Sequence, residues 1–329
     1  MALLKLYEVH KLLSDLLARS DLEQAYQLTT KYMEALDDGF LRFQYLCLAV
    51  RLGQIESALD WLENSLHTEH WFSAWFLRRS DCLQTLFNLP RFEKCLQDLE
   101  EKETSYWVEG RMKPLTVAPP NKNPPYPLLV GLHGNGFNTL DAAEQWACAP
   151  QQGWLATFPL APHLVHCGKH WWDQHDENER LVLSHVQSIR SQFPVAEDKF
   201  LWSGFSKGGE VAMYLALRGA LGHKVFLTVG AGGYLHGEPE QWRPIIEAAS
   251  PEVRGVMMYS SYDLNRIGSS GKNVILSMLE DRGIAYQFIE YEGEDMYSLT
   301  ILINGFKKLL PFFMRNRQQF TALLKSWLT

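Results

Sequence analysis

The chain changes its hydrophobic period once, near residue 104, and that change restricts what it can fold into. Before it, Leu6, Leu13, Leu16 and Leu17 recur at helical spacing, the mark of one buried helix face. The pattern predicts an all-α segment from residue 3 to about 103, with later helices near 22–35, 39–52, 54–66, 69–78 and 91–102. Gly39, Gly53 and Pro90 stand at the joints, where helices end or start. After it, the proline-rich VAPPNKNPPYP (117–127) reads as a loop. Short apolar runs then alternate with amphipathic stretches. PLLVGLHG (127–134), a run within GWLATFPLAP (153–162), DKFLWSG (198–204), KVFLTVGAGG (224–233), a run within EVRGVMMYSSYD (252–263) and AYQFIEYEG (285–293) read as strands. Residues 178–193, 207–219, 273–283 and 299–314 read as helices. Strands alternating with helices predict a mostly parallel sheet covered on both faces. The expected organisation is an all-α domain over 1–103 and an α/β domain over 104–329.

Of 329 residues, 46% are hydrophobic and 21% charged, enough to bury a core. A net charge of −7 argues against nucleic acid, whose binders carry a basic footprint. No apolar run approaches the roughly 20 residues of a membrane span. Lys5, Glu8, His10 and Lys11 interrupt the N-terminal apolar pattern, so no signal peptide is read there. The five cysteines form no C-x-x-C pair. They read as belonging to a reduced, cytoplasmic chain, most of them as small buried apolar residues.

SDLEQAYQLTTKYMEAL (20–36) aligns with GQIESALDWLENSL (53–66), setting Ala25 against Ala58. An alanine there lets two helices approach closely. The segment resembles a short tetratricopeptide array, with residues 77–96 as its degenerate last repeat; an ordinary helical bundle is the alternative. Such an array implies a concave surface for a peptide or protein partner. Capping a pocket or forming a homo-oligomer are the other roles open to it.

Gly204-Phe205-Ser206-Lys207-Gly208 is G-x-S-x-G between an expected strand and an expected helix. In that context Ser206 is a candidate nucleophile on a strained turn, with the helix N-terminus directed at it. An oxyanion hole would draw on the Lys207 N–H and on a second N–H near Asn135 or Gly136, in GLHGNGFN (131–138). His133 in that stretch reads first as a loop brace and only second as a base.

LHGNG, GFSKGG and the strand–helix order resemble the α/β-hydrolase superfamily over residues 105 to 329. They are most similar to its phospholipase/carboxylesterase branch, whose elbow reads G-F-S-Q-G-G, with Lys207 here in place of Gln. The resemblance implies hydrolysis of carboxylic esters or thioesters through an acyl-enzyme, with no cofactor. It implies Asp263 as the triad acid, and a pocket wall that includes Trp171 and Trp172, with His133 and Phe205 beside it. The family's histidine position, in EYEGEDMYSLT (290–300), holds Asp295. No later residue replaces it, because the last histidine of the chain is His236. His236, in AGGYLHGEPE, is the alternative base. An ordinary aspartate, with a pKa of about 3.9, is a poor base for a serine. A second segment, 161–177, gathers His163, His166, His170, His175, Cys167, Asp173 and Asp176. It matches no firm zinc signature, and no metal is expected. Three readings compete: a serine esterase or thioesterase with an unconventional base, a weak or inactive hydrolase fold that binds a ligand or a protein, and a peptide-bond hydrolase, which the elbow sequence alone does not exclude.

Overall fold

A computed structural model of the chain describes residues 2–110, 112–120, 123–232, 234–261, 264 and 269–291. Contacts divide the chain into two units. One is the chain up to Arg111 together with Leu164–Lys169; the other is Met112–His163 with the chain from His170 onward.

The helical unit is built from α1 (Ala2–Ala18), α2 (Leu22–Tyr32), α3 (Gly39–Arg51), α4 (Ile55–Ser65), α5 (Ala74–Arg78) and α6 (Pro90–Val108). Side-chain caps start three of them. Asp21 accepts from the Gln24 N–H, Asp38 from Leu41 and Ser73 from Phe76, each satisfying a donor that the helix leaves over. Val9, Leu13, Leu16, Ala25, Leu41 and Leu48 share one buried cluster. Ala25 and Ala58, aligned in the sequence, are both fully buried.

The expected helix over 69–78 begins only at Ala74. The residues before it pair with residues 164–166 instead. Phe72 bridges His166, the Ser73 N–H donates to Val165 O at 2.8 Å, and Ser73 Oγ donates to Leu164 O at 2.5 Å. Long-range pairing has overridden a local helical pattern. Helix α6 runs to Val108, through the boundary expected at 103/104. The cysteine reading also needs correction. Cys47 and Cys82 form a disulfide with Cα atoms 5.3 Å apart, because the fold brings together two residues 35 apart in sequence.

In the second unit, among the described residues, a seven-stranded sheet runs in the order β1 (Leu115–Val117), β3 (Leu155–Phe158), β2 (Tyr126–Leu132), β6 (Val195–Phe205), β7 (Val225–Val229), β8 (Arg254–Ser260) and β9 (Ala285–Tyr291). Every pairing is parallel except β1 with β3. Alternate residues divide between two cores. Leu128, Val130, Phe200, Trp202, Phe226 and Met257 enter one; Leu129, Leu201, Leu227, Val256 and Met258 enter the other. Both faces are therefore covered, as a parallel sheet requires. One cover contains α9 (His175–Gln192) and α10 (Lys207–Leu217); the other contains α7 (Thr139–Gln145) and α8 (Cys148–Gln151). The result is a mostly parallel sheet with helices on both faces. The stretch 161–177 contains a two-stranded hairpin, β4 (His163–His166) and β5 (Lys169–Trp171), of which residues 164–169 belong to the first unit. No described helix is long and apolar enough to cross a membrane.

The disulfide gives a direct test. Denatured without reductant, the chain is expected to expose three reactive thiols, those of Cys95, Cys148 and Cys167, and five after reduction. Five thiols before reduction would show that the pairing does not form.

Candidate active site

The sheet order reverses at β2: chain order leads from β2 to β3 on one side, and β6 lies on the other. In open α/β sheets, ligands bind at the carboxyl ends of strands beside such a reversal. Leu132, the last residue of β2, pairs with Gly204 of β6. The loop after β2 and the turn after β6 therefore leave the sheet side by side.

Ser206 occupies that turn with φ 52° and ψ −123°. This left-handed conformation costs a non-glycine residue about 1–3 kcal/mol. Three backbone hydrogen bonds hold it. The Ser206 N–H donates to Val229 O at 3.0 Å, and Ser206 O accepts from Glu210 N–H at 3.1 Å and from Gly232 N–H at 3.3 Å. The glycines around it are steric requirements. A Cβ on Gly208 would drive into the carbonyl oxygens of Leu132 and His133, and one on Gly204 into Gly208 O. A Cβ on Gly134 would lie 3.2 Å from Ser206 Cβ, so the glycine loop lies against the serine. Lys207 is the first residue of α10, so its N–H belongs to the turn directed at the crevice.

The loop 133–137 is braced throughout, and this changes the roles of several expected site residues. His133 is fully buried. Its Nδ1 donates to Gly134 O at 2.7 Å and its Nε2 accepts from the Ala161 N–H at 3.1 Å. Both ring nitrogens are committed, so His133 is neither a base nor a pocket residue. Trp172 is also fully buried. Its indole N–H donates to His133 O at 2.7 Å, and its backbone N–H donates to Asn135 Oδ1 at 2.7 Å. The Asn135 Nδ2 donates in return to Trp172 O at 3.3 Å. Trp172 is a strut rather than a pocket wall, because a tryptophan so enclosed has no surface to offer a ligand. The Gly136 N–H, expected as an oxyanion donor, is taken by His170 O at 2.8 Å. Phe205 packs inside the core at 5.6 Å from the Phe137 ring and does not line a pocket either. Trp171 is half-buried at the end of β5. Asp263 and Asp295 lie outside the described residues. His236 falls in the short helix α11 (Tyr234–Gly237), and its side chain is likewise outside them.

The histidine-rich stretch separates into individual contacts. His163 pairs with Glu177 at 2.8 Å, His170 Nδ1 donates to Ala161 O at 3.0 Å, and Cys167 donates to Glu69 at 3.2 Å. Burial, with the Lys169 charge, pushes His166 down to about 4, which keeps it neutral. No described group of three or more His, Cys, Asp or Glu is placed to hold a metal ion. Sequence reasoning missed one charged group here. Glu210 is fully buried, 2.5 Å from Lys207 Nζ and 3.0 Å from His175 Nε2. The only signal for it was an acid inside an otherwise apolar helix.

No protein-family model matches the chain, and no curated protein matches it. Among solved structures it is similar to an uncharacterized protein from Bacillus cereus, with 15% identity, a TM-score of 0.45, and coverage of 92% of this chain and 98% of that one. It is similar to the esterase PE8 at 17% identity and TM-score 0.44, over 60% of this chain and 98% of that one. It is similar to an S-formylglutathione hydrolase from Staphylococcus aureus at 12% identity and TM-score 0.43, over 66% and 92%. At those scores the likenesses carry no argument; the fold rests on strand order and on the serine turn.

The Asn135–Trp172 clip is testable by itself. Asn135→Ala would leave the Trp172 N–H buried without its acceptor, at a cost of about 1–3 kcal/mol. Urea denaturation should show that loss; an unchanged midpoint and slope would mean the clip contributes nothing.

Proposed function

We propose that the α/β unit is a serine hydrolase acting on carboxylic esters or thioesters through an acyl-enzyme, with Ser206 as nucleophile. The observation that carries this reading is the strained serine turn at the carboxyl end of β6, pressed against a braced glycine loop. The strain falls on a serine at the carboxyl end of the sheet. In this reading Ser206 Oγ attacks the acyl carbon, and the Lys207 N–H at the start of α10 receives the oxyanion. With the Gly136 N–H committed to His170, the second donor is the Asn135 N–H. The tetrahedral intermediate collapses, expels the alcohol or thiol, and water releases the acid. Asp263 is the proposed acid and Asp295 stands in the base position; His236 is the other candidate base.

Chemistry without an imidazole is slow. In a comparable hydrolase, an oxyanion hole and binding alone leave only about 10³–10⁴-fold acceleration over water. The reading therefore expects weak turnover with a reactive serine. For the helical unit we propose a tetratricopeptide-like array that receives a peptide or protein partner, on the strength of the matched buried alanines Ala25 and Ala58.

A fluorophosphonate probe tests the hydrolase reading. The native chain should label slowly, Ser206→Ala not at all, and Asp295→His at least about tenfold faster, since a general base contributes about 10²–10⁴-fold. Labelling that survives Ser206→Ala would discard Ser206 as nucleophile. Labelling seen only with Asp295→His would mean that the site has lost its base and works as a binder.

A further inference from the structure

Helix α10 begins KGGEVAMYLAL, and its only two charged side chains meet inside the protein. Lys207 is 5% exposed and Glu210 0%. Lys207 Nζ and His175 Nε2 both lie against Glu210 Oε1, at 2.5 and 3.0 Å. Among the described residues, Glu210 Oε2 has no hydrogen-bond partner. His175 is itself clamped. Its ring stacks on Tyr214 at 4.4 Å, meets the edge of Trp242 at 5.5 Å, and faces a cavity of about 480 Å³.

Stability does not explain such a group. Replacing a buried ion pair with packed apolar side chains is often neutral or stabilising, and an orphaned carboxylate oxygen is a further cost. Its place in the helix does suggest a use. Gly208 and Gly209 follow Lys207, and Gly208 accepts no Cβ because the ends of β2 press against it. The first turn of α10 thus has two adjacent positions with no side chain to pack, in residues whose backbone is the most free. The Lys207–Glu210 pair spans these glycines at i, i+3, a spacing at which helix side chains are neighbours. Lys207 also cancels a negative charge that would otherwise stand in the turn that must accept an oxyanion.

We infer that Glu210 is a positioning residue: anchored by His175, it tethers Lys207 across the two glycines and holds the Lys207 N–H on the oxyanion. This rests on the serine-hydrolase reading for its chemical purpose. The tether itself can be measured without turnover.

The experiment compares the full native chain with Glu210→Leu, which removes the acceptor, with Glu210→Gln, whose carbonyl oxygen still accepts from Lys207 Nζ, and with His175→Phe, which removes the anchor and keeps a ring on Tyr214. Two readouts are taken: hydrolysis of p-nitrophenyl acetate, and amide hydrogen exchange in the peptide spanning 205–211. Glu210→Leu should lower kcat at least tenfold with KM within twofold of native, and should speed exchange in that peptide. Glu210→Gln should keep most of both. Native kcat and native exchange in Glu210→Leu overturn the proposal. If Glu210→Leu fails to fold, His175→Phe decides: native kcat with native exchange overturns the tether, and a lowered kcat with faster exchange supports it. A native chain that neither hydrolyses the ester nor takes a fluorophosphonate overturns the hydrolase reading, and with it the oxyanion role. Exchange in Glu210→Leu still shows in that case whether Glu210 holds the turn.

Discussion

The edge of the α/β unit that carries Ser206 depends on one close approach, backbone against backbone, where α10 meets the ends of β2 and β6. The approach is possible only because Gly204 and Gly208 carry no side chains. Once the helix is seated there, the chain must reverse in a single residue, and Ser206 takes the left-handed conformation that results. The same seating aims the helix N-terminus at the serine and sets the glycine loop beside it. Strain, dipole and donor position are three results of one contact.

That contact leaves two demands which other residues meet. The loop after β2 must keep its polar backbone groups satisfied while leaving a donor for a ligand. His133, Asn135, His170 and Trp172 do this by hydrogen-bonding the loop to itself, to β5 and to the residue that follows it. The first turn of α10 must stay ordered despite its glycines, and there the buried Lys207–Glu210–His175 group supplies side chains where the turn has none.

The parts of the fold that could be read from sequence are those with a repeating physical cause. Strands covered on both faces appear as apolar runs, so β2, β7, β8 and the second half of β6 were visible, β9 was read as a strand although Gln287 and Glu290 interrupt it, and the glycine spacing around Ser206 marked the turn. Strand β1, three residues long on the antiparallel edge, carries no period to detect. The β4–β5 hairpin was not read, because His163, His166 and His170 break the apolar run that marks a strand. The start of α5 was misplaced because Phe72 and Ser73 answer to residues 164–166, some ninety positions on. Aromatic and imidazole groups near the glycine loop read as pocket lining; the structure uses His133, Trp172 and Phe205 to build the loop's support. Glu210 was in plain view as the one acid in α10, but composition alone gives no partner to a charge.

The helical unit is discontinuous in sequence, since it includes residues 164–169. Leu164 and Val165 are buried there, and Ser73 bonds to the backbone of both. The six helices are synthesised before that segment, and their unit is not complete until residue 169 has been made. Domains ordinarily fold in the order of their synthesis. Here the first unit is completed only after the first three strands of the second, so the two units are coupled in time as well as by the three passages of the chain between them, after residues 111, 163 and 169.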